Sequence, residues 1–105
     1  MVINQTYISH SDIHGYGVFA GIDIKTGDII IQHPCVPIQS RRPIPPEIAA
    51  HMFGTSSGIA AVFGSAAYIN SSKIPNAIHE IHNNMIIITS TREIAAHTEI
   101  TLNYM

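Results

Sequence analysis

Three segments of the 105-residue sequence carry residue types that could bind a small ligand or take part in catalysis. Residues 14–20 (HGYGVFA) contain a Gly-x-Gly pair, residues 70–76 (NSSKIPN) are rich in turn-forming polar residues, and residues 99–104 (EITLNY) end on a tyrosine. Glycine lacks a Cβ atom, so a ligand can approach its main chain closely. Asn and Ser side chains hydrogen-bond readily within loops, and a tyrosine hydroxyl can orient a reacting group.

Each segment alone also has an ordinary structural explanation. A Gly-x-Gly pair is usually a turn, and residues 15–17 are not a dinucleotide-binding fingerprint because no third glycine opens a helix after them. The polar residues of 70–76 are common in Asx and Ser turns. A tyrosine at the end of a strand is most often a packing residue. The order and spacing of the three segments therefore indicate function more strongly than any one of them.

Taken together, the segments resemble the motifs of the SET domain, a family of protein-lysine methyltransferases that use S-adenosylmethionine. Residues 14–20 resemble the family's Gly-x-Gly signature, residues 70–76 resemble its NHSxxPN motif, and residues 99–104 resemble the end of its GEELTFDY segment. The resemblance extends from about Tyr7 to Tyr104. Within the family, the chain is most similar to the small stand-alone SET proteins of large DNA viruses. It implies a mainly-β SET-domain (β-clip) fold of several small sheets, with a C-terminal pseudoknot and little helix.

The resemblance also implies which residues bind the cofactor S-adenosylmethionine, whose product is S-adenosylhomocysteine. Gly15, Tyr16 and Gly17 would present backbone groups to its methionine end. Asn70 and Ser71 would hold its amine and its adenine. Because Ser71 stands where the family usually has histidine, the resemblance implies weaker packing on the adenine and a reduced affinity.

Tyr104 falls on the family's catalytic tyrosine, and Tyr16, Tyr68 and Leu102 are predicted to line the channel for the substrate lysine. Leu102 has no hydroxyl group to hold a water molecule, which favours more than one methylation step. The family usually closes this channel with residues after the catalytic tyrosine, whereas only Met105 follows here. We therefore expect the channel to be open on one side, or to be completed by a second subunit or by the substrate.

Composition narrows the class of protein. A chain of 105 residues predicts one domain, here a single SET domain over 1–105 with no pre-SET or post-SET domain. Charged residues make up 11% of the chain, about half of the usual fraction. Two interpretations fit this equally well: an apolar surface covered by a partner such as a second copy in a homodimer, or a compact isoleucine-rich domain with Ser, Thr and Asn outside. The formal net charge of −2 argues against non-specific binding of nucleic acid.

The single cysteine, Cys35, excludes an intramolecular disulfide and favours an intracellular protein. The sequence predicts no signal peptide and no membrane span. If the protein is viral, we expect it in the nucleus of the host cell.

Seven histidines raise the possibility of a metal site. His79 and His82 are three residues apart, but they fall in a predicted strand, where such positions point to opposite faces. With one cysteine, the zinc cluster that commonly flanks SET domains cannot form. The sequence therefore predicts no metal site.

Ser11, Asp12 and His14 suggest a hydrolase triad. Close neighbours in sequence rarely form such a triad, and no nucleophile elbow is present. We therefore do not predict a hydrolase.

The remaining pattern predicts many short strands. We expect strands near Tyr7–Ile8, over 18–20, 29–32 and 99–103, an edge strand over 36–38, and a hairpin of 77–81 and 85–91 joined by an Asn-Asn turn. A variable inserted segment is predicted at about 40–58, with a short helix over 47–53 that ends in the glycine- and serine-rich run 54–58. Residues 59–69 are ambiguous between helix and strand. We find no internal repeats.

Three functions remain open. The first is a lysine methyltransferase whose substrate is a lysine-containing protein or peptide, a histone tail if it acts in a eukaryotic host. The second is a non-catalytic SET-like module that binds peptide or cofactor. The third is an unrelated small β-domain with an interaction role. Cofactor binding separates the third from the others, and turnover separates the first from the second.

Overall fold

The computed structural model describes residues 5–38, 52–55, 58–61 and 64–103. Within these residues strands predominate, and the only helix is a single 3-10 turn. In chain order the elements are β1 (Thr6–His10), β2 (Tyr16–Ala20), β3 (Ile29–Pro34), β4 (Val36–Ile38), β5 (Met52–Thr55), β6 (Gly58–Ala61), η1 (Ser65–Tyr68), β7 (Asn70–Ser71), β8 (Ala77–His82), β9 (Met85–Ser90) and β10 (Glu99–Leu102). The strands form three small sheets, ordered β1-β2-β10-β7, β3-β9-β8 and β4-β6-β5. The predicted mainly-β fold of small sheets is confirmed.

The C-terminal strand connects distant parts of the chain. β10 pairs antiparallel with β2, where Glu99 lies opposite Phe19, and parallel with β7, where Thr101 lies opposite Asn70. β10 therefore lies between a strand from the beginning of the chain and a segment near residue 70. This crossing, which the resemblance led us to expect, brings all three motif segments into one sheet.

The hairpin of β8 and β9 closes through Asn83 and Asn84, which have φ angles of 52° and 61°. Two consecutive left-handed residues are the mark of a type I′ turn, whose twist matches that of the flanking strands, and asparagine tolerates this conformation better than most residues. The predicted hairpin is confirmed, with each strand boundary within one residue of the prediction.

The sheet β4-β6-β5 corrects one prediction. Residues 52–53, predicted as the end of a helix, lie in β5. Of the run 54–58, predicted to break it, residues 54–55 end β5 and Gly58 begins β6, while residues 56–57 fall outside the described residues. The rest of the predicted helix, 47–51, falls outside the described residues. A helix of two turns is marginal in water. As a strand, β5 instead pairs antiparallel with β6, whose other edge pairs with β4. β4 is an edge strand, as its proline predicts.

Two segments of the chain have the same backbone form, which the sequence analysis missed. Residues 21–30 and 91–100 share one succession of bend, bridge, turn and strand. Ile24 and Ile94 join them through reciprocal backbone hydrogen bonds of 2.8 and 2.9 Å. Gly27 and His97 occupy the equivalent left-handed turn positions, with φ angles of 89° and 69°. The repeat is short and its residue types diverge, so its sequence signal is faint.

The left-handed conformation of His97 leads to a stability prediction. We expect His97→Val to lower the free energy of unfolding by about 1–2 kcal/mol, because a β-branched side chain is strongly disfavoured at positive φ. His97→Asn also removes the imidazole that lies 2.9 Å from the Tyr7 hydroxyl, but asparagine tolerates this backbone. Both variants lack the imidazole, so the difference between their free energies of unfolding in urea gives the backbone effect. An equal loss of stability in the two variants would contradict the prediction.

The core consists mainly of isoleucines from all parts of the chain. Among the described side chains, those that are apolar and buried are Val18, Ala20, Ile24, Ile30, Ile31, Cys35, Ala66, Ile69, Ala77, Ile86, Ile88, Ile94, Ile100 and Leu102. β-branched residues pack well on pleated surfaces, which explains their use here.

Burial raises the pKa of the Cys35 thiol, which disfavours its reactive thiolate form. No helix within the described ranges has the length and apolar character needed to cross a membrane.

Candidate functional site

The side-chain amide of Asn70 lies where the first and last motif segments meet. Its Nδ2 atom is within hydrogen-bond distance of four oxygen atoms: Ser11 Oγ at 3.0 Å, His14 O at 3.0 Å, Tyr16 O at 3.1 Å and Glu99 Oε2 at 2.8 Å. An amide NH2 group carries two protons, so it cannot satisfy four acceptors at once. The site is therefore rich in acceptors and suits a further donor, such as an ammonium group.

Ser11 connects the turn before the Gly-x-Gly pair to β10. Its hydroxyl lies 2.7 and 2.9 Å from the two carboxylate oxygens of Glu99 and donates its proton to that carboxylate. The backbone N–H of Ile13 donates to Ser11 Oγ at 2.9 Å, which fixes the turn. Since the single hydroxyl proton of Ser11 is directed at Glu99, the arrangement differs from that of a hydrolase nucleophile beside an imidazole base. We refer to Ser11, Asn70 and Glu99 as the polar cluster.

The two glycines of the Gly-x-Gly pair serve different purposes. Gly15 has a φ angle of 48° and open space around its Cα, so its backbone is both left-handed and accessible. A Cβ atom at Gly17 would overlap the Glu99 carboxylate and would lie 3.2 Å from Asn70 Nδ2. Glycine is therefore required at 17 by the polar cluster, whereas Gly15 leaves the main chain open to a ligand.

Asn76 and Ser72 fasten the 70–76 loop to β10. Asn76 Nδ2 donates to the carbonyl oxygen of Glu99 at 2.9 Å, and its Oδ1 accepts from the backbone N–H of Thr101 at 2.9 Å. The backbone N–H of Ser72 donates to the carbonyl of Leu102 at 2.8 Å. The side-chain amide of Asn76 thus bonds to the backbone of β10 in the way that a neighbouring strand would, and it holds Glu99 in place.

The predicted channel residues have different environments. Tyr16 is 53% exposed and stacks on His10 with ring centroids 4.8 Å apart, and Tyr68 is 47% exposed at the end of η1, which packs against β2. Leu102 is fully buried in the hydrophobic core. Tyr104 lies outside the described residues. The channel roles of these four residues remain predictions.

Sequence reasoning missed the connecting residues of the site. Glu99 was part of the motif quoted for the resemblance but received no role, and Ser11 was considered only as a hydrolase residue. A hydrogen bond between residues 88 positions apart leaves no local signal in the sequence. The position of an acidic residue directly before an apolar strand sequence was the one available indication for Glu99.

In the described part of the chain, no three His, Cys, Asp or Glu side chains converge. His82 instead pairs with Glu80, with Nε2 2.9 Å from Oε2, at an exposed position on β8.

Comparisons with known proteins identify the family of this chain. The SET domain model matches residues 15–105. A crystal structure of a Plasmodium falciparum protein, described provisionally as a histone methyltransferase, is 30% identical, covers 97% of this chain and 94% of that one, and has a TM-score of 0.84. No curated protein matches the sequence.

A more distant structure shows the same fold. A Polycomb Repressive Complex 2 of Chaetomium thermophilum, a humanized mutant bound to an inhibitor, is 23% identical with a TM-score of 0.74. The match covers 97% of this chain and 15% of that one. The family model spans most of the sequence, and the Plasmodium structure matches over nearly its whole length. This chain belongs to the SET domain family.

Proposed function

We propose that the protein is a protein-lysine N-methyltransferase that moves a methyl group from S-adenosylmethionine to a lysine ε-amine. The observation that carries the proposal is the convergence of the three motif segments on the Asn70 amide, which creates a site with excess hydrogen-bond acceptors. The cofactor has an ammonium group that can supply the missing donor. The provisional description of the Plasmodium relative supports a histone tail as the substrate class.

The residues of the site fit the cofactor. The open main chain at Gly15 and the carbonyl groups of His14 and Tyr16 would bind its methionine end, beside the Asn70 side chain. Ser71 would contact the adenine. When bound, S-adenosylmethionine supplies a methyl group that its sulfonium already activates, so the protein need not add a strong electrophile.

The protein must then hold a neutral lysine amine in line with the methyl group. A lysine pKa of about 10.4 leaves roughly one amine in a thousand neutral near pH 7.4. An apolar channel beside a cation lowers that pKa, because both conditions disfavour the charged amine. Tyr104 would orient the amine through its hydroxyl, and the exposed rings of Tyr16 and Tyr68 would receive the lysine stem and its charge.

Isothermal titration with S-adenosylhomocysteine tests the cofactor site. We expect saturable binding at one site per chain, followed by radiolabelled methyl transfer to histone tail peptides in the presence of S-adenosylmethionine. Lysine-to-arginine peptides serve as the matched control. No binding at millimolar ligand would contradict the proposal.

Binding without transfer to any lysine-rich substrate would instead support a non-catalytic SET-like module. The observation that favours this second function is Ser71, which replaces the family's usual histidine at the predicted adenine contact.

We further propose that the chain forms a homodimer. We also propose that it is related to the stand-alone viral SET proteins and that it acts in the nucleus of a host cell, where histones are found. The low charged fraction and exposed apolar side chains such as Ile8, Ile13, Ile74 and Ile78 support association. Sedimentation equilibrium gives the mass directly, and a monomer at micromolar concentration would contradict the dimer.

A further inference from the structure

We propose that Glu99 determines which charge state of the cofactor the site prefers. Its carboxylate would make the site bind the positively charged methyl donor more tightly than the demethylated product, which has lost the sulfonium charge. This inference rests on the proposed function and assigns to Glu99 a role in selecting the loaded cofactor and releasing the spent one.

The first observation is the position of the carboxylate. Glu99 Oε2 lies 2.8 Å from Asn70 Nδ2, and the same nitrogen lies 3.0 and 3.1 Å from the carbonyl oxygens of His14 and Tyr16. The Asn70 side-chain amide thus lies between the Glu99 carboxylate and the backbone carbonyl groups proposed to hold the methionine end of the cofactor. Electrostatic attraction acts over such a separation without direct contact, and partial burial reduces its screening by solvent ions.

The second observation is the absence of a compensating cation. Among the described residues, the side-chain hydrogen bonds of Glu99 come from two neutral groups, the Ser11 hydroxyl and the Asn70 amide. Within the described ranges, no Lys, Arg or His side chain forms an ion pair with Glu99. Removing a carboxylate from water is costly unless a positive charge compensates it. The bound methyl donor would supply that charge, whereas the product would supply less of it.

The alternative is that Glu99 acts only by holding Asn70 and the Gly-x-Gly loop in place. Glu99→Gln separates the two roles, because glutamine has nearly the same shape, can accept from Asn70 and can donate to Ser11, but has no charge. Ser11→Ala is the matched control. It removes a hydrogen bond of the polar cluster and leaves the Glu99 charge in place.

The test measures equilibrium binding of three ligands by calorimetry. S-adenosylmethionine carries a sulfonium, sinefungin carries an amine near the same place, and S-adenosylhomocysteine carries a neutral thioether there. In Glu99→Gln we expect the affinity for the two cationic ligands to fall about tenfold further than the affinity for S-adenosylhomocysteine. In Ser11→Ala we expect the three affinities to change by a similar factor.

Equal weakening of all three ligands in Glu99→Gln would overturn the inference and leave Glu99 as a structural residue. So would a Ser11→Ala variant that discriminates among the ligands as strongly as Glu99→Gln. Failure of the proposed function looks different, because the unmodified protein would then bind none of the three ligands. Urea unfolding of each variant without ligand verifies that it folds before the affinities are compared.

Discussion

Replacing Tyr104 by phenylalanine is expected to reduce methyl transfer at least about 100-fold, the typical effect of removing one group that stabilises a transition state. The phenol hydroxyl is the group that would orient the lysine amine and face the polarised methyl group. The variant retains the aromatic ring. Affinity for S-adenosylhomocysteine should therefore stay within about twofold of the unmodified protein.

The matched control for this experiment is Tyr16→Phe, which removes a hydroxyl from a half-exposed tyrosine of the same proposed site. Single-turnover rates with saturating cofactor and peptide give the comparison. Unchanged turnover in Tyr104→Phe would remove Tyr104 as the catalytic residue. A parallel loss of cofactor binding would show that its role is structural.

Replacing Gly17 by alanine is expected to disrupt the polar cluster and with it cofactor binding. The new Cβ atom would overlap the Glu99 carboxylate and approach Asn70 Nδ2 within 3.2 Å. Both neighbours are held by hydrogen bonds, so the clash cannot be relieved without breaking some of them. We expect a loss of about 2 kcal/mol in the free energy of unfolding and at least about tenfold weaker binding of S-adenosylhomocysteine.

Gly15→Ala is the control for this variant. No atom lies within 4 Å of the Cβ position at Gly15, so the cost there comes from the left-handed backbone alone, about 1 kcal/mol. A Gly17→Ala/Glu99→Ala double variant adds a further check, because removing the carboxylate should recover part of the stability lost in Gly17→Ala. Additive losses in the double variant would contradict the proposed clash.

Several features of this protein follow from local sequence. β-branched runs such as 29–31 form strands because these side chains suit a pleated, buried surface. Asn83 and Asn84 predict their turn because asparagine tolerates positive φ. The order and spacing of the three motifs resembled the SET domain closely enough to predict the family.

Other features depended on contacts between distant residues. β6 is a strand because β4 and β5 pair with its two edges, which overrides the helical preference of a short alanine-rich stretch. Asn70 meets Ser11 across 59 positions and Glu99 across 29, and no local pattern encodes those pairings.

The sequence by itself therefore determined most of the strands and the Asn-Asn turn, and it indicated the family. The tertiary structure decided that a serine from the first turn and a glutamate from the last strand hold the Asn70 amide. The physical reason is that propensities act within a few residues, whereas hydrogen bonds and excluded volume act between any residues that the fold brings together.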